Sequence, residues 1–183
     1  MEQFTVRRLS VGFGPAARPA LQRDLDAMAA TADLTTDEGR LAALRAVAAR
    51  LAADAPGATH ALAVDALRSL DDAPPFFDAM AEELRSRYPV ETRRNEVTTP
   101  ATVALDATVP GHLVVSVVLG AVGALRSCAA GDRASLGATL TALSALDAVV
   151  VALEVIWSPS LETDRMSLDA MLTRYPELTA LDA

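Results

Sequence analysis

Apolar and polar residues near the N-terminus alternate in the manner of a half-buried strand. The alternation runs from Phe4 to Phe13 and predicts a β-strand over that stretch. Gly12, Gly14 and Pro15 then break the pattern. Over residues 16–32 the larger apolar side chains recur at helical spacing, with acidic residues off that face, so a first helix is predicted there.

Three further elements are predicted before residue 90. Thr35-Thr36-Asp37-Glu38 is typical of a helix start, because a threonine caps the first turn and acidic side chains favour the positive end of the helix dipole. Pro56-Gly57 ends that second helix, and a strand follows from about Thr59 to Leu67. A third helix begins after Pro75 and ends at Pro89.

The second part of the chain repeats this alternation of strands and helices. His112–Val122 is almost wholly apolar and β-branched, which predicts a strand covered on both faces. A helix is predicted over Asp132–Leu146, a second buried strand over Val149–Trp157, and a last helix over Ser167–Tyr175.

Short sequence strings recur in the two parts and indicate an internal duplication. Arg87-Tyr88-Pro89 and Arg174-Tyr175-Pro176 each follow a copy of Asp-Ala-Met. We therefore interpret residues 1–183 as a single domain with two pseudo-repeat halves, about 4–89 and 112–178, joined by a linker over residues 90–111. Helical crossovers favour partly parallel pairing. The predicted fold is α+β, in which the duplicated strand–helix unit forms one mixed sheet of about four or five strands with helices packed on it.

The composition limits the classes of binding partner and the cellular compartment that are expected. The formal charge is −8, and every basic residue is arginine. Such an acidic chain repels phosphate backbones, so nucleic-acid binding is not expected. A single cysteine, Cys128, permits no internal disulfide, which favours the reducing cytoplasm. The longest apolar run, Leu113–Leu125, is too short to span a bilayer, so a soluble protein without membrane insertion is expected.

Glu154 is the strongest candidate for a functional side chain. It stands in an otherwise apolar strand, where a carboxylate lies on a solvated face, pairs with an arginine, or is buried with a raised pKa. Gly14 and Gly120 are predicted to form small-residue turns, and a ligand would have room between the halves near these two glycines and Glu154. Gly12–Ala17 outlines a dinucleotide loop, but Pro15 removes an amide donor, so we interpret it as a strand-to-helix turn.

Other reactive residue types are interpreted structurally. His60 and His112 stand at strand entrances and could approach each other, yet no helical pair of ligands accompanies them, so no metal site and no cofactor is predicted. Cys128 has no histidine nearby to activate it. Trp157, Tyr88 and Tyr175 end their elements, where an amphipathic ring is either a core edge or an interface residue.

Several strings resemble an uncharacterised family, DUF1517, found in cyanobacteria, chloroplasts and other bacteria. The resemblance is carried by Leu21–Asp26, by Leu113–Leu119, by Ala152–Pro159 and by Tyr175–Leu178, and it covers most of the chain in order. It implies a domain of unknown activity with a regulatory or scaffolding role. Family members in photosynthetic organisms resemble membrane-anchored proteins with a low-complexity region before this domain, whereas this chain starts directly at its first strand.

Two functions are compatible with these patterns. The first is a non-enzymatic domain that acts through protein contacts, as a homodimer or with another protein. The alternative is a small-molecule-binding protein or enzyme with a site between the two halves near Glu154.

Overall fold

The computed structural model describes residues 3–87, 111–161 and 164–182. Within these ranges the strands are β1 (Gln3–Phe13), β2 (Ala58–Ser69), β3 (Leu113–Val122), β4 (Val150–Ser158) and β5 (Thr179–Ala180). The helices are α1 (Arg18–Thr31), α2 (Asp37–Asp54), α3 (Ala73–Ser86), α4 (Arg133–Ser144) and α5 (Leu168–Arg174). The predicted α+β class is confirmed. Tyr88, Pro89 and all of the predicted linker except Gly111 lie outside the described residues.

Helix starts are set by the side chains that the sequence places there. The hydroxyl of Thr36 accepts a hydrogen bond from the Gly39 amide at 3.0 Å, which caps α2 as predicted. Asp132 and Ser135 form a reciprocal capping box at the start of α4. These local bonds satisfy backbone donors that a helix otherwise leaves free in its first turn.

The strands form one five-stranded sheet in the order β4-β3-β1-β2-β5. All four ladders are antiparallel, with Leu9 opposite both Ala63 and Val117 at the centre. The prediction of a mixed sheet with partly parallel pairing is therefore wrong for the described strands.

The antiparallel pairing follows from connections that run out and back. After β1 the chain passes along α1 and returns along α2, so β2 starts beside the end of β1, with Ala58 opposite Phe13. After β3, residues 123–132 lead to Arg133, whose guanidinium bonds Ala58 O at the other end of the sheet, and α4 then brings the chain back to β4. A connection that runs out and back leaves the chain at the end of the sheet where the strand finished, so the next strand is antiparallel. A single crossover helix would carry the chain to the other end of the sheet and give a parallel strand.

The two faces of the sheet are covered by different helices. Face A carries Leu9, Val11 and Phe13 of β1 and packs under α1, α2 and α4. Face B carries Val6 of β1 and Val114 and Val118 of β3, and it packs under α3 and α5. β1 and β3 are thus covered on both faces, as predicted for β3.

Strand β4 lies at the outer edge of the sheet. It pairs only with β3 among the described strands, and Val149 and Val151 are 48% and 40% exposed. The prediction of a buried strand over Val149–Trp157 is wrong, because an apolar run indicates burial but not the position of the strand in the sheet order.

Candidate functional site

Glu154 lies on face B of β4 and is paired with an arginine of α3. Its two carboxylate oxygens accept hydrogen bonds from Nε and Nη2 of Arg85, both at 2.6 Å. The hydrogen bond with Glu154 raises the pKa of Arg85, and Glu82 adds a second bond at 2.7 Å. Of the three alternatives for this carboxylate, the structure therefore has the arginine pair.

Replacement of Glu154 with glutamine is expected to lower the free energy of unfolding by less than about 1 kcal/mol. The side chains of Arg85 and Glu154 are 36% and 27% exposed, so water screens their attraction and solvates either partner left alone. Urea denaturation of both proteins at neutral pH measures the difference. A loss above about 3 kcal/mol is typical of a desolvated pair and would contradict this interpretation.

The two candidate glycines lie at opposite ends of the sheet. Gly14 follows β1, and its amide donates to Gly57 O at 3.2 Å. Gly120 is not in a turn but inside β3, where it pairs with Val6 and Ala152. Seven residues of extended β1 separate Val6 from Phe13, a span of about 23 Å. Gly120 is two residues along the face from Glu154, so those two are neighbours and Gly14 is remote from both.

The aromatic candidates differ in their surroundings. Trp157 is half-buried on face A, and its indole Nε1 is buried without a hydrogen-bond partner among the described residues. Tyr175 is 1% exposed and packs in the core of face B, with the Arg87 guanidinium 5.0 Å from its ring centroid. The structure places Tyr175 as a core residue, so its ring does not form part of an exposed interface.

A long apolar groove runs between the β4 edge and the α1–α2 helix pair. Its volume is about 740 Å³. Trp157 and Val155 line it from the strand, while Met28 and Leu34 line it from the helix side. Three alanines of α2 add small side chains to the wall. The groove therefore offers an apolar surface beside the open edge of the sheet.

A partly buried ionic cluster on face B was not predicted from the sequence. Arg8 of β1 is 6% exposed, and its guanidinium binds Glu83 of α3 at 3.2 Å and Glu177 beyond α5. Arg87 binds the same two carboxylates, so two arginines and two glutamates alternate in a closed ring. Burial acts to raise the pKa of Glu177, but its backbone and the guanidinium groups of Arg87 and Arg8 lower that pKa below its usual range.

A second ion pair, between the buried Arg7 and the more exposed Asp65, occupies face A next to it. Arg7 is 4% exposed, and its Nε and Nη2 donate to the two oxygens of Asp65 at 2.5 and 3.1 Å. Burial acts to raise the pKa of Asp65, yet hydrogen bonds from Arg7 and from the Cys128 amide hold it below its usual range. Burial raises the pKa of the Cys128 thiol to about 11. A thiol with that pKa is almost wholly protonated at neutral pH, so Cys128 is a poor nucleophile.

A signal for both arginines was present in the sequence. Arg7 and Arg8 are consecutive in a strand, so their side chains point to opposite faces. Once β1 is placed at the centre of a sheet covered on both sides, both charges must be buried and paired. The sequence alone does not say that β1 is central, and the pair was therefore overlooked.

The two histidines lie at the same end of the sheet, because His60 pairs with Gly12 and His112 directly precedes Leu113, which pairs with Phe13. Burial lowers the pKa of His60, and the charge of His112 lowers it further; burial also lowers the pKa of His112. In residues 3–87, 111–161 and 164–182, no three or more His, Cys, Asp or Glu side chains are grouped to hold a metal ion. None of the helices in the described ranges is long and apolar enough to cross a lipid bilayer.

Comparison with known proteins gives a family and one relative. The family described as "Protein of unknown function (DUF1517)" matches residues 3–181. The chain is similar to "Protein FLAP1 homolog A" of Synechocystis sp., with 25% identity over 189 residues. The alignment covers 96% of this chain and 56% of the relative, so the chain spans little more than half of that protein's length. No solved structure matches the chain.

Proposed function

Because the chain belongs to the DUF1517 family, whose description gives no activity, we propose a function from the protein's surface: a non-enzymatic module that acts through protein–protein contacts, in a regulatory or scaffolding role. The family membership confirms the resemblance seen in the sequence. The observation that supports the proposed role is the open edge of β4, a strand whose outer side has no neighbour among the described strands.

The β4 edge is protected at one point, where Arg40 of α2 donates to Val150 O at 2.9 Å, and it has few other features that protect a sheet edge from pairing. Soluble proteins guard edge strands with charged residues, prolines, bulges or short strands. β4 is 9 residues long, and its one charged residue, Glu154, is held by Arg85. A bulge lies near Val151, but Val151 and Val149 expose apolar side chains there. Such an edge favours addition of a further strand.

The neighbouring groove supports the same role. When an extended segment adds to a sheet edge, backbone hydrogen bonds give affinity and pockets beside the edge accept alternate side chains. The groove between β4 and the α1–α2 pair lies on face A, and Trp157 and Val155 of β4 form one of its walls. A strand paired with β4 would place every second side chain against that groove.

The occupant that we propose is β4 of a second copy. Antiparallel pairing of two β4 strands would join two sheets into one across a twofold axis, the commonest symmetry of soluble oligomers. The formal charge of −8 on each copy opposes this association. Added salt screens that repulsion, so we expect the dimer to become more stable as the ionic strength rises.

A double substitution on the edge tests this proposal. Val149→Lys with Val151→Lys is expected to weaken dimerisation by at least about tenfold, because lysines on an edge strand disfavour strand addition. Sedimentation velocity over a concentration series at two salt concentrations measures the association.

The matched control is Leu168→Lys with Leu172→Lys, two exposed apolar residues of α5 on face B (41% and 36%). The control is expected to dimerise like the wild type. A wild-type protein that stays monomeric at about 200 μM in high salt, or equal weakening by both variants, would contradict pairing through β4.

We also propose that the two halves are copies of one unit. Each half has a strand, a connection with two legs on face A, an antiparallel strand and a helix on face B. In this proposal β1 and β3 correspond, and they lie side by side and antiparallel at the centre of the sheet.

A cytoplasmic location is proposed on the chemistry of the single cysteine. Cys128 can form no internal disulfide, and its amide and thiol both bond to Asp65. A reducing compartment keeps such a thiol in the state in which these bonds form.

A further inference from the structure

A pocket of about 480 Å³ lies between the two halves on face B. The first half contributes Phe4, Val6 and Phe77 to its wall, and the second half contributes Gly120, Val151 and Ala152. Its volume falls in the range of about 300–1,000 Å³ that is typical of small-molecule sites. The pocket is separate from the groove beside α1 and α2, which lies on face A.

Small side chains keep this pocket open. Face B of β3 carries side chains at Val114, Ser116 and Val118, but Gly120 has none, and its partner in β4 is Ala152. A Cβ placed on Gly120 would lie 3.3 Å from the Cβ of Ala152, which is a tight contact. Glycine within a strand often marks a close approach by another group.

A bulge gives the pocket its outer rim. The β3–β4 register shifts between Gly120 and Ala121, so Val151 is the additional residue in β4. Bulges re-aim side chains and are over-represented next to binding sites. Val151 is 40% exposed and Leu70, on the opposite side of the pocket, is 57% exposed. Two branched apolar side chains therefore meet water at the entrance of an apolar pocket.

The charge of the lining restricts the chemistry of a ligand. Of the lining residues in the described part of the chain, Asp78 is the one that ionises, and it is exposed. Among the residues that the structure describes, no arginine lines the pocket to balance an acid group. An anionic ligand such as a fatty acid would lose its hydration and meet a carboxylate, which opposes binding.

We propose that this pocket binds a small, mainly apolar molecule that is uncharged or positively charged. The inference does not require pairing through β4, because the substitutions that test it, at Leu70, Asp78 and Gly120, change no residue of the β4 edge. It locates a ligand site between the halves, at Gly120 and two residues from Glu154.

Two probes that share a ring system test the proposal by fluorescence titration. N-phenyl-1-naphthylamine is neutral, and 8-anilino-1-naphthalenesulfonate adds one sulfonate to the same framework. The neutral probe is expected to bind one per chain with a dissociation constant of about 10–100 μM. Asp78→Asn is expected to strengthen binding of the sulfonate probe about twofold to fivefold relative to binding of the neutral probe, because an exposed carboxylate repels the anion.

Leu70→Gln is expected to weaken binding of the neutral probe about threefold to tenfold, since a polar group replaces apolar lining at the rim. Leu70 is exposed, so the variant keeps the fold. Gly120→Val is expected to abolish binding by filling the pocket. If Gly120→Val fails to fold, Leu70→Gln still decides the result.

Ala46→Leu is the matched control, because Ala46 is exposed and lines the face A groove. It is expected to leave binding of the neutral probe unchanged. The proposal is overturned if the neutral probe does not bind below about 1 mM. It is also overturned if Ala46→Leu weakens binding while Leu70→Gln does not, because the probe then occupies the groove.

Discussion

Replacement of Tyr175 with alanine is expected to lower the free energy of unfolding by roughly 3–4 kcal/mol. The ring is 1% exposed and packs with Leu84 and Met171 in the core of face B, so its removal leaves a cavity that the surrounding helices and strands fill only in part. The guanidinium of Arg87 also loses the aromatic face that lies 5.0 Å away. Urea denaturation at neutral pH measures the change as a lower midpoint.

Tyr175→Phe separates packing from the hydroxyl group. This variant keeps the ring under Arg87 and is expected to lose less than about 1.5 kcal/mol, the range of one hydrogen bond. The slope of the urea dependence should stay the same in both variants, because the surface exposed on unfolding is nearly unchanged. If Tyr175→Ala loses less than about 1 kcal/mol, the ring does not contribute to the core as the structure indicates.

Arg87, which begins the first Arg-Tyr-Pro string, contacts the second string in the structure. Arg174-Tyr175-Pro176 ends α5 and places its ring in the core. Arg87, the first residue of the other copy, reaches across to this ring and to the carbonyl of Arg174. Contact between the two copies thus ties the end of α3 to the end of α5.

Local periodicity predicted the elements well because burial acts on each element separately. The alternation in Phe4–Phe13 and the apolar run of His112–Val122 each reflect what covers the strand, and both strands lie within a residue or two of the predicted bounds. Helix caps such as Thr36 are also local, since the capping bond spans three residues.

Strand order and direction could not be predicted in the same way. The sequence pattern of an apolar strand is the same in a central strand such as β3 and in an edge strand such as β4 that has helices packed beside it. The two-legged connections determine the direction, and residues 123–132, which form one leg, have no periodicity that would reveal it. The assumption of single helical crossovers produced the incorrect mixed sheet.

The candidate site residues were likewise found from local signals in the sequence, whereas their long-range partners were not. Glu154 was identified because one carboxylate interrupts an apolar strand, but its partner Arg85 is 69 positions away and has no signal in the sequence. Gly14 and Gly120 were grouped because each follows an apolar run. Only the register of β1 with β3 shows that they lie at opposite ends of the sheet.

Replacement of Asp65 with asparagine is expected to have the second large effect, a loss of about 3 kcal/mol in the free energy of unfolding at pH 7. Asp65 binds both Nε and Nη2 of Arg7, whose side chain is 5% exposed, and also accepts from the Cys128 amide. The variant keeps the shape but leaves the buried guanidinium without an opposing charge. The carbonyl of Arg126 remains as a partner of Arg7 and limits the loss.

The loss should depend on pH in a defined direction. The pKa of Asp65 is lower in the folded protein than its reference value of 3.8, so the folded state favours the ionised carboxylate. Its contribution to stability is complete above about pH 5 and is lost as the pH falls below 3.8 through the folded-state pKa. The difference between wild type and Asp65→Asn is therefore expected to shrink in acid, because the wild-type carboxyl becomes neutral as well.

An exposed aspartate provides the control for this pH dependence. The Asp147 side chain is 100% exposed and lies 3.9 Å from Arg45, so Asp147→Asn is expected to unfold with the wild type at every pH. Urea denaturation of the three proteins between pH 7 and pH 3 gives the comparison. A loss for Asp65→Asn that stays constant down to pH 3 would show that shape or hydrogen bonding, rather than charge, holds Arg7 in the sheet. The centre of β1 would then depend on the geometry of its partner and not on its ionisation.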